Sequence, residues 1–434
     1  MASLLLGVPL VATAGAAPAP QAPTVKCGQT ITKNTTLFAD VGPCAGNGII
    51  IGADNITLNL NGHTISGSTS AADGNAAGVR LPNRTGVTVT GLPGASGKKG
   101  TITGFDAGVF INRGSGNAIE NLAVIDNAGP ADPEAEELPL LGDGIAVFYS
   151  ANNRISNNLV ARNGYYDGIT VLGEGSDNNL IQGNTVEDTL GVDNRHFPSF
   201  QGTGIIISHF LNADDPRGRF IFNNDIIDNV VRRNFTAGIS SVANHKGRII
   251  GNTIEDNGDL ERYLSGRNGN GIGVTTGDII EFPSIANTRM LVEGNKVSGN
   301  ALQGIEIARG AAENHVLRNE VLDNFLFGIS TDFIAPNNVI AENTALGHIF
   351  DLFDAYHLLG PYAEGCNGNV WRDNVYGTAE PECAANGTQM DRAEYVSPGA
   401  PQPKPNAAAG GPPPGWERAL EHTDLPARPT APRN

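Results

Sequence analysis

Between Val292 and Asn343 one short pattern is written three times, and its fixed spacing restricts the folds open to this chain more than any other feature. An apolar residue is followed three positions later by Asn and two further on by another apolar residue. The copies are Val292…Asn295…Val297, Val316…Asn319…Val321 and Ile340…Asn343…Ala345, with the asparagines 24 residues apart both times. Between them lie Gly304-Ile305-Glu306-Ile307 and Gly328-Ile329-Ser330-Thr331, which read as short strands opened by a glycine turn. A period of this length, made of strand fragments without helical patterning, indicates a stacked array.

The Asn pattern runs back through Ile155…Asn158, Ile181…Asn184, Ile226…Asn229 and Ile249…Asn252, and forward to Trp371…Asn374. The Gly-led strand recurs at Gly108-Val109, Gly144-Ile145, Gly168-Ile169, Gly204-Ile205, Gly238-Ile239 and Gly271-Ile272. Two or three strands per unit cannot bury an apolar side alone. Coiling each unit and stacking it on the last at about 4.8 Å pairs every strand and closes one core. The predicted fold is all-β, a right-handed parallel β-helix over residues 25–386. The Asn column is expected to be structural, because Asn tolerates the left-handed turn conformation and its amide can form a ladder from coil to coil.

The ends read differently. Residues 1–24 are a short apolar run with Ala14-Gly15-Ala16, then a Pro/Ala linker, which resembles a signal peptide and not a membrane span. Residues 387–434 are rich in Pro and Ala and predict a disordered tail. Cys27 and Cys44 precede the first coil, and Cys366 and Cys383 bracket the last, each pair 17 apart. Two local disulfides would staple the ends of a rod whose terminal strand edges must be covered, and they imply an oxidising compartment. A metal site is the rival reading; it lacks Cys-x-x-Cys and His at ligand spacing.

A net charge of −17 argues against nucleic acid, whose binders neutralise phosphates with Lys and Arg. It also disfavours direct capture of polyuronates unless calcium bridges the two acidic partners. Aromatics make up 6%, too few for a long row of sugar platforms, although Phe148, Tyr149, Tyr165 and Tyr166 form a local patch.

Five segments are too long for turns. Three precede a Gly-led strand (129–141, 189–201, 258–268) and two follow one (209–219, 276–287). Insertions on one side of a solenoid build its binding face. They would wall a trough whose floor includes Ile239-Ser240-Ser241, with Arg195, His196, Arg217, Arg262 and Tyr263 on the loops and Tyr166 nearby as substrate-binding candidates.

Two sets of residues are catalytic candidates. Gly142-Asp143-Gly144-Ile145 and Tyr166-Asp167-Gly168-Ile169 put Asp143 and Asp167 at equivalent positions of consecutive coils, about 5 Å apart in backbone. Carboxylates that close either raise one pKa or hold a cation such as calcium, the one cofactor considered. Asp-Gly is also an ordinary turn dipeptide. His209, His245 and Lys246 follow strands on adjacent coils and could supply the base and cation of a lyase. His63, beside Asn61-Gly62, reads as a turn residue.

Over residues 27–385 the pattern resembles the pectate-lyase-like superfamily of right-handed β-helices. It is most similar to exported actinobacterial-type β-helix repeat proteins, through Asn61-Gly62-His63-Thr64-Ile65-Ser66-Gly67 and the Cys-bracketed coil Asn369 to Asn374. That resemblance implies the fold and leaves the activity open among lyases, hydrolases, epimerases and non-catalytic relatives. The polygalacturonase motif set and the Asp-Pro-His of alginate epimerases are absent. With 3 Met and 8 scattered His there is no soft-ligand cluster for copper. The expectation is a secreted or cell-surface monomer that binds, and as a lyase, glycoside hydrolase or epimerase would process, an extracellular polysaccharide. A surface or scaffold protein using the same face is the alternative.

Overall fold

The computed structural model describes residues 24–68, 75–92, 97–128, 141–191, 202–209, 220–258, 271–275, 288–308, 310–359, 365–391 and 395. The expected signal segment, segment 276–287, all but one end of the other four long segments, and the chain from 396 onward lie outside them.

Three long sheets run the length of a rod, and every pairing between their strands is parallel. Sheet 1 has thirteen strands, from Gln29–Ile31 to Ala379–Glu380. Sheet 2 has twelve, from Thr35–Thr36 to Val370–Arg372, and sheet 3 has thirteen, from Val41–Cys44 to Gly387–Gln389. Each coil but the last contributes one strand to each sheet in turn, so the chain is a parallel β-helix. The predicted tail starts too early: Gly387–Gln389 is a strand paired with Asn374–Tyr376.

Register explains the core. Ile145, Ile169, Ile205, Ile239, Ile272, Ile305, Ile329 and Leu352 are successive partners along sheet 1, and all are fully buried. Alternation at period two then sends the intervening residues outward. Of the three residues expected on the trough floor, only Ser240 therefore faces out. Ile239 and Ser241 point into the lumen, where Ser241 is buried beside Asn244.

The glycines that lead the sheet 1 strands are not turn residues. Gly144, Gly168, Gly204 and Gly304 lack positive φ. A Cβ on Gly144 would lie 2.6 Å from the Gly168 carbonyl oxygen and 2.8 Å from the Asn163 amide nitrogen; each of the others meets the carbonyl one coil on, with an Asn amide beside it at Gly204 and Gly304 and the Thr189 hydroxyl at Gly168. Close stacking, not backbone bending, selects glycine there.

Asparagine forms three ladders instead of the single column expected. One joins sheet 1 to sheet 2 through Asn117, Asn153, Asn179, Asn224 and Asn244. The second, between sheets 2 and 3, is the predicted one and runs from Asn158 through Asn319 to Asn374. The third, leading back to sheet 1, includes Asn127 and Asn163, then Asn234, Asn257, Asn300 and Asn324, and ends on the buried His348. His348 in turn bonds Asp351 at 2.8 Å. Burial alone would raise the Asp351 pKa; the His348 bond and charge outweigh it and hold the carboxyl below its usual range.

Both ends are stapled by the expected disulfides, Cys27–Cys44 and Cys366–Cys383. For loops of this length chain entropy assigns each bond about 3 kcal/mol. Thiol reduction is expected to raise hydrogen exchange in the first and last coils while leaving Val292–Leu346 protected. Uniform loss of protection along the rod would contradict a capping role.

Candidate functional site

Ion pairs link successive coils on sheet 2, as in Arg248–Asp225 at 2.6 Å, and at the turn after sheet 3, as in Arg162–Asp126 at 2.7 Å and Arg233–Asp188 at 2.8 Å. The outer face of sheet 1 is different, because much of it is covered. At one end Ala77, Ala107, Phe110, Leu141 and Ala146 form a small apolar cluster, with Phe148 edge-on to Phe110 at 5.3 Å. At the other, Leu302, Leu326, Phe327 and Phe353 form a second, with Phe350 packed on it. Between them the outward residues include the acids, hydroxyls and amides of Asp143, Asp167, Thr170, Thr203, Ser240 and Gln303, interrupted by Leu172 and Ile206.

Asp143 and Asp167 occupy one register position on adjacent coils, two residues before the partners Ile145 and Ile169. They are 1% and 5% exposed. Asp143 Oδ1 accepts the backbone N–H of Asp167 at 3.3 Å and the hydroxyl of Thr170. Its Oδ2 is buried and has no hydrogen-bond partner among the described residues. Asp167 Oδ1 accepts the backbone N–H of Thr203 at 2.8 Å, and the Thr203 hydroxyl lies 3.2 Å from that of Thr236. Burial dominates the electrostatics. It pushes Asp143 up to about 6 against the pull of its hydrogen bonds. Asp167 is raised well above the carboxylate range by burial and then by the charge of Asp143. The half-buried Tyr166 hydroxyl is raised by burial and by both carboxylates, so it stays protonated.

A local break accompanies the pair. In the third ladder Thr189 takes the place of Asn between Asn163 and Asn234, donating its N–H to the Asn234 amide oxygen at 3.2 Å, while its own buried hydroxyl has no partner among the described residues.

The histidines are elsewhere. His209 follows Ser208, six residues beyond Thr203, which shares the register of the two aspartates; in extended chain that is about 20 Å along the sheet. His245 belongs to a two-residue strand, Asn244–His245, paired with Ile221–Phe222, and stacks edge-on against Phe220 at 3.7 Å. Burial, with the charges of Arg289 and Lys246, lowers His245 to about 4, and burial also lowers His209. Lys246 is exposed at the corner, in a left-handed conformation. The two candidate sets therefore sit at opposite ends of the sheet 1 strands and form no joint constellation. His63 meets Asp40 at 3.2 Å, as a turn residue would. Arg195, His196, Arg217, Arg262 and Tyr263 lie outside the described residues.

For calcium the donors are few. Among the described residues no group of three His, Cys, Asp or Glu side chains could hold a metal ion. Two carboxyls and their hydroxyl neighbours fall short of the six to eight oxygens that calcium takes. The described pair fits a shared proton better than a cation. Sequence reasoning paired Asp143 with Asp167 but missed Thr170 and Thr203; the hydroxyl three residues after an Asp-Gly, and Thr in place of Asp on the next coil, are the signals that were there.

No helix among the described residues is long and apolar enough to cross a membrane. No curated protein matches the chain. Solved structures with a similar course include the periplasmic alginate epimerase AlgG, at 11% identity and a TM-score of 0.46, covering 80% of this chain and 76% of that one. The Dettilon tailspike protein gives 14% identity and a TM-score of 0.44, covering 83% of this chain and 60% of the other. A mannuronic acid specific family 6 polysaccharide lyase from human gut microbiota gives 13% and 0.44, covering 84% and 86%. At such identities the likeness concerns the fold alone. The family model described as right handed beta helix region matches residues 26–209 and 142–282, more than half of the sequence, so the chain belongs to the right-handed β-helix family.

Proposed function

We propose that this is an exported β-helix protein that binds a neutral extracellular polysaccharide along the outer face of sheet 1 and hydrolyses it with Asp143 and Asp167. The observation that carries the reading is the stacked, buried carboxyl pair, with both pKa values raised by burial. Two adjacent buried carboxyls whose pKa values are both raised can share one proton, so that one serves as acid and the other as base at the same pH. Backbones one strand spacing apart, about 4.8 Å, suit the roughly 5 Å separation of a double-displacement glycosidase. A lyase or epimerase acting on uronates needs cations beside the substrate carboxylate. Burial and hydrogen bonds dominate around this pair, and no Lys or Arg among the described residues acts on either acid. The hydroxyl and amide side chains of Thr170, Thr203, Ser240 and Gln303 on this face match sugar hydroxyls, and the two disulfides fit an extracellular setting.

One observation favours a second reading. Each aspartate already accepts a backbone N–H from the next coil, as a purely structural turn residue would. On that reading the face docks a partner and performs no chemistry.

A panel of neutral and acidic glycans separates the two readings. New reducing ends without new unsaturated ends, lost in Asp143→Asn and Asp167→Asn, are the expected result. The losses should be about 100-fold or greater, the usual contribution of a positioned acid or base. Binding without turnover, unchanged in both variants, would leave the scaffold reading standing.

A further inference from the structure

The third ladder repeats one arrangement from coil to coil, and the rung at Thr189 departs from it. In a complete rung the side-chain oxygen of one Asn accepts both the backbone N–H and the amide N–H of the Asn before it. Asn163 Oδ1 does this for Asn127, at 3.0 and 2.9 Å, and Asn257 Oδ1 does it for Asn234, at 3.1 and 2.8 Å. The same amide group also donates to a carbonyl of an earlier coil, Asn163 to Val124 at 2.8 Å and Asn257 to Val231 at 3.2 Å.

Thr189 keeps half of this. Its N–H reaches Asn234 Oδ1, so the ladder continues on that side. Toward Asn163 it offers a hydroxyl in place of a carboxamide. A Cβ on Gly144 would lie 2.8 Å from Asn163 Nδ2, one on Gly204 would lie 2.6 Å from Asn234 Nδ2, and one on Gly168 would lie 3.0 Å from Thr189 Oγ1. The hydroxyl therefore stands where a rung has its amide nitrogen, and Thr189 has no atom to stand where a rung has its amide oxygen. The Asn163 N–H and the second hydrogen of Asn163 Nδ2 consequently find no acceptor among the described residues, and the Thr189 hydroxyl finds no partner among them. Asn163 is fully buried and Thr189 is 3% exposed, so bulk solvent does not reach these groups.

We propose that the Thr189 rung is a binding site for one internal water molecule, which takes over the role of the amide oxygen. Its oxygen accepts from the Asn163 N–H and Nδ2–H, as Asn Oδ1 does in the complete rungs, and one of its hydrogens goes to Thr189 Oγ1. Three polar partners are what a buried water typically has. Leaving two buried donors unpaired is the costly alternative, and it supplies the drive for binding. Threonine carries fewer side-chain atoms than asparagine, while complete rungs on both sides hold the coils at their spacing, which gives the water its room. The site lies at the root of the long segment 189–201 and beside Gly168, the residue after Asp167.

The test uses the folded, substrate-free chain, with water itself as the probe, and takes nothing from the reading of the acid pair. In the 15N-labelled protein, nuclear Overhauser contacts between a long-lived water and the amides of Asn163 are the expected result. Asn257 is the control, because its N–H and Nδ2–H are both taken by Asn300 Oδ1, and it should show none. Thr189→Asn completes the rung, so the contacts at Asn163 should vanish and the urea midpoint should rise. Thr189→Val removes the hydroxyl and with it one partner of the water, so the contacts should weaken and the midpoint should fall. Should the asparagine variant not fold, the original chain and Thr189→Val still decide. Absence of a water contact at Asn163 in the original chain would overturn the proposal, and so would contacts that persist in Thr189→Asn. A raised midpoint in Thr189→Asn without a water contact in the original would mean that the Thr189 hydroxyl turns to serve Asn163 directly, and it too would overturn the site.

Discussion

Replacing Asn319 with Ala is expected to lower the stability of the rod by about 3 to 5 kcal/mol, although the side chain is polar and touches no candidate site. Its Oδ1 accepts both the backbone N–H and the side-chain amide of Asn295, each at 2.9 Å. Its Nδ2 donates to the Val292 carbonyl at 3.0 Å and to Asn343 Oδ1 at 2.9 Å. Truncation therefore removes four bonds and leaves the Asn295 N–H without its acceptor at a position closed to water. Orphaned buried groups of this kind cost about 1 to 3 kcal/mol each. Asn319→Asp should do no better, since it keeps the acceptor, loses the donor and buries a charge. Asn178 gives the contrast: it is exposed, with φ of 56°, and serves the left-handed turn. Asn178→Gly should change stability by less than about 1 kcal/mol. Equilibrium urea unfolding followed by circular dichroism measures both variants. Equal effects would mean that the ladders follow from the stacking and contribute little to it.

The same ladders indicate what was legible in advance. The 24-residue spacing of Asn295, Asn319 and Asn343 implied stacking, because a bond from each coil to the next imposes one residue type at one interval. A second regularity passed unread. Asn153, Asn158 and Asn163 are five apart within one coil, one at each corner, as are Asn314, Asn319 and Asn324. Insertions hid it: Asn179 bonds Asn224 across 45 residues where Asn153 bonds Asn179 across 26.

The site was legible only in part, for a different reason. Asp143 and Asp167 could be aligned by counting from their Gly-Ile strands. Their burial could not, because it depends on what covers sheet 1, and the outward column Ala146, Thr170, Ile206, Ser240 has no pattern of its own. The histidines misled for the opposite reason. Adjacent coils bring residues close only at the same register, and His209 and His245 stand six or more residues from the register of the acids.

Asp143→Asn is expected to make the protein more stable at pH 8 and to leave it unchanged at pH 4. The folded pKa of Asp143, about 6, stands above the ordinary value of 3.8, and that of Asp167 is raised well above it too. The folded chain therefore holds protons that the unfolded chain releases. For groups shifted in this direction stability is complete below the unfolded pKa and is lost as pH climbs through the folded values. From Asp143 alone a rise of about two units corresponds to about 3 kcal/mol lost by pH 8, as an order of magnitude for a coupled pair. Asparagine keeps an oxygen for the Asp167 N–H and the Thr170 hydroxyl, and it brings no charge to bury. The gain should thus grow from nothing near pH 4 to a few kcal/mol at pH 8, read as the difference between two urea midpoints against pH. A flat difference would place the carboxyl in water and remove the basis for an acid–base pair. A rising one, alongside loss of glycan turnover in the same variant, has a direct consequence. Two acids that weaken the fold at neutral pH and can be neutralised by a single isosteric change serve the reaction and not the rod, which is where a stability cost is retained.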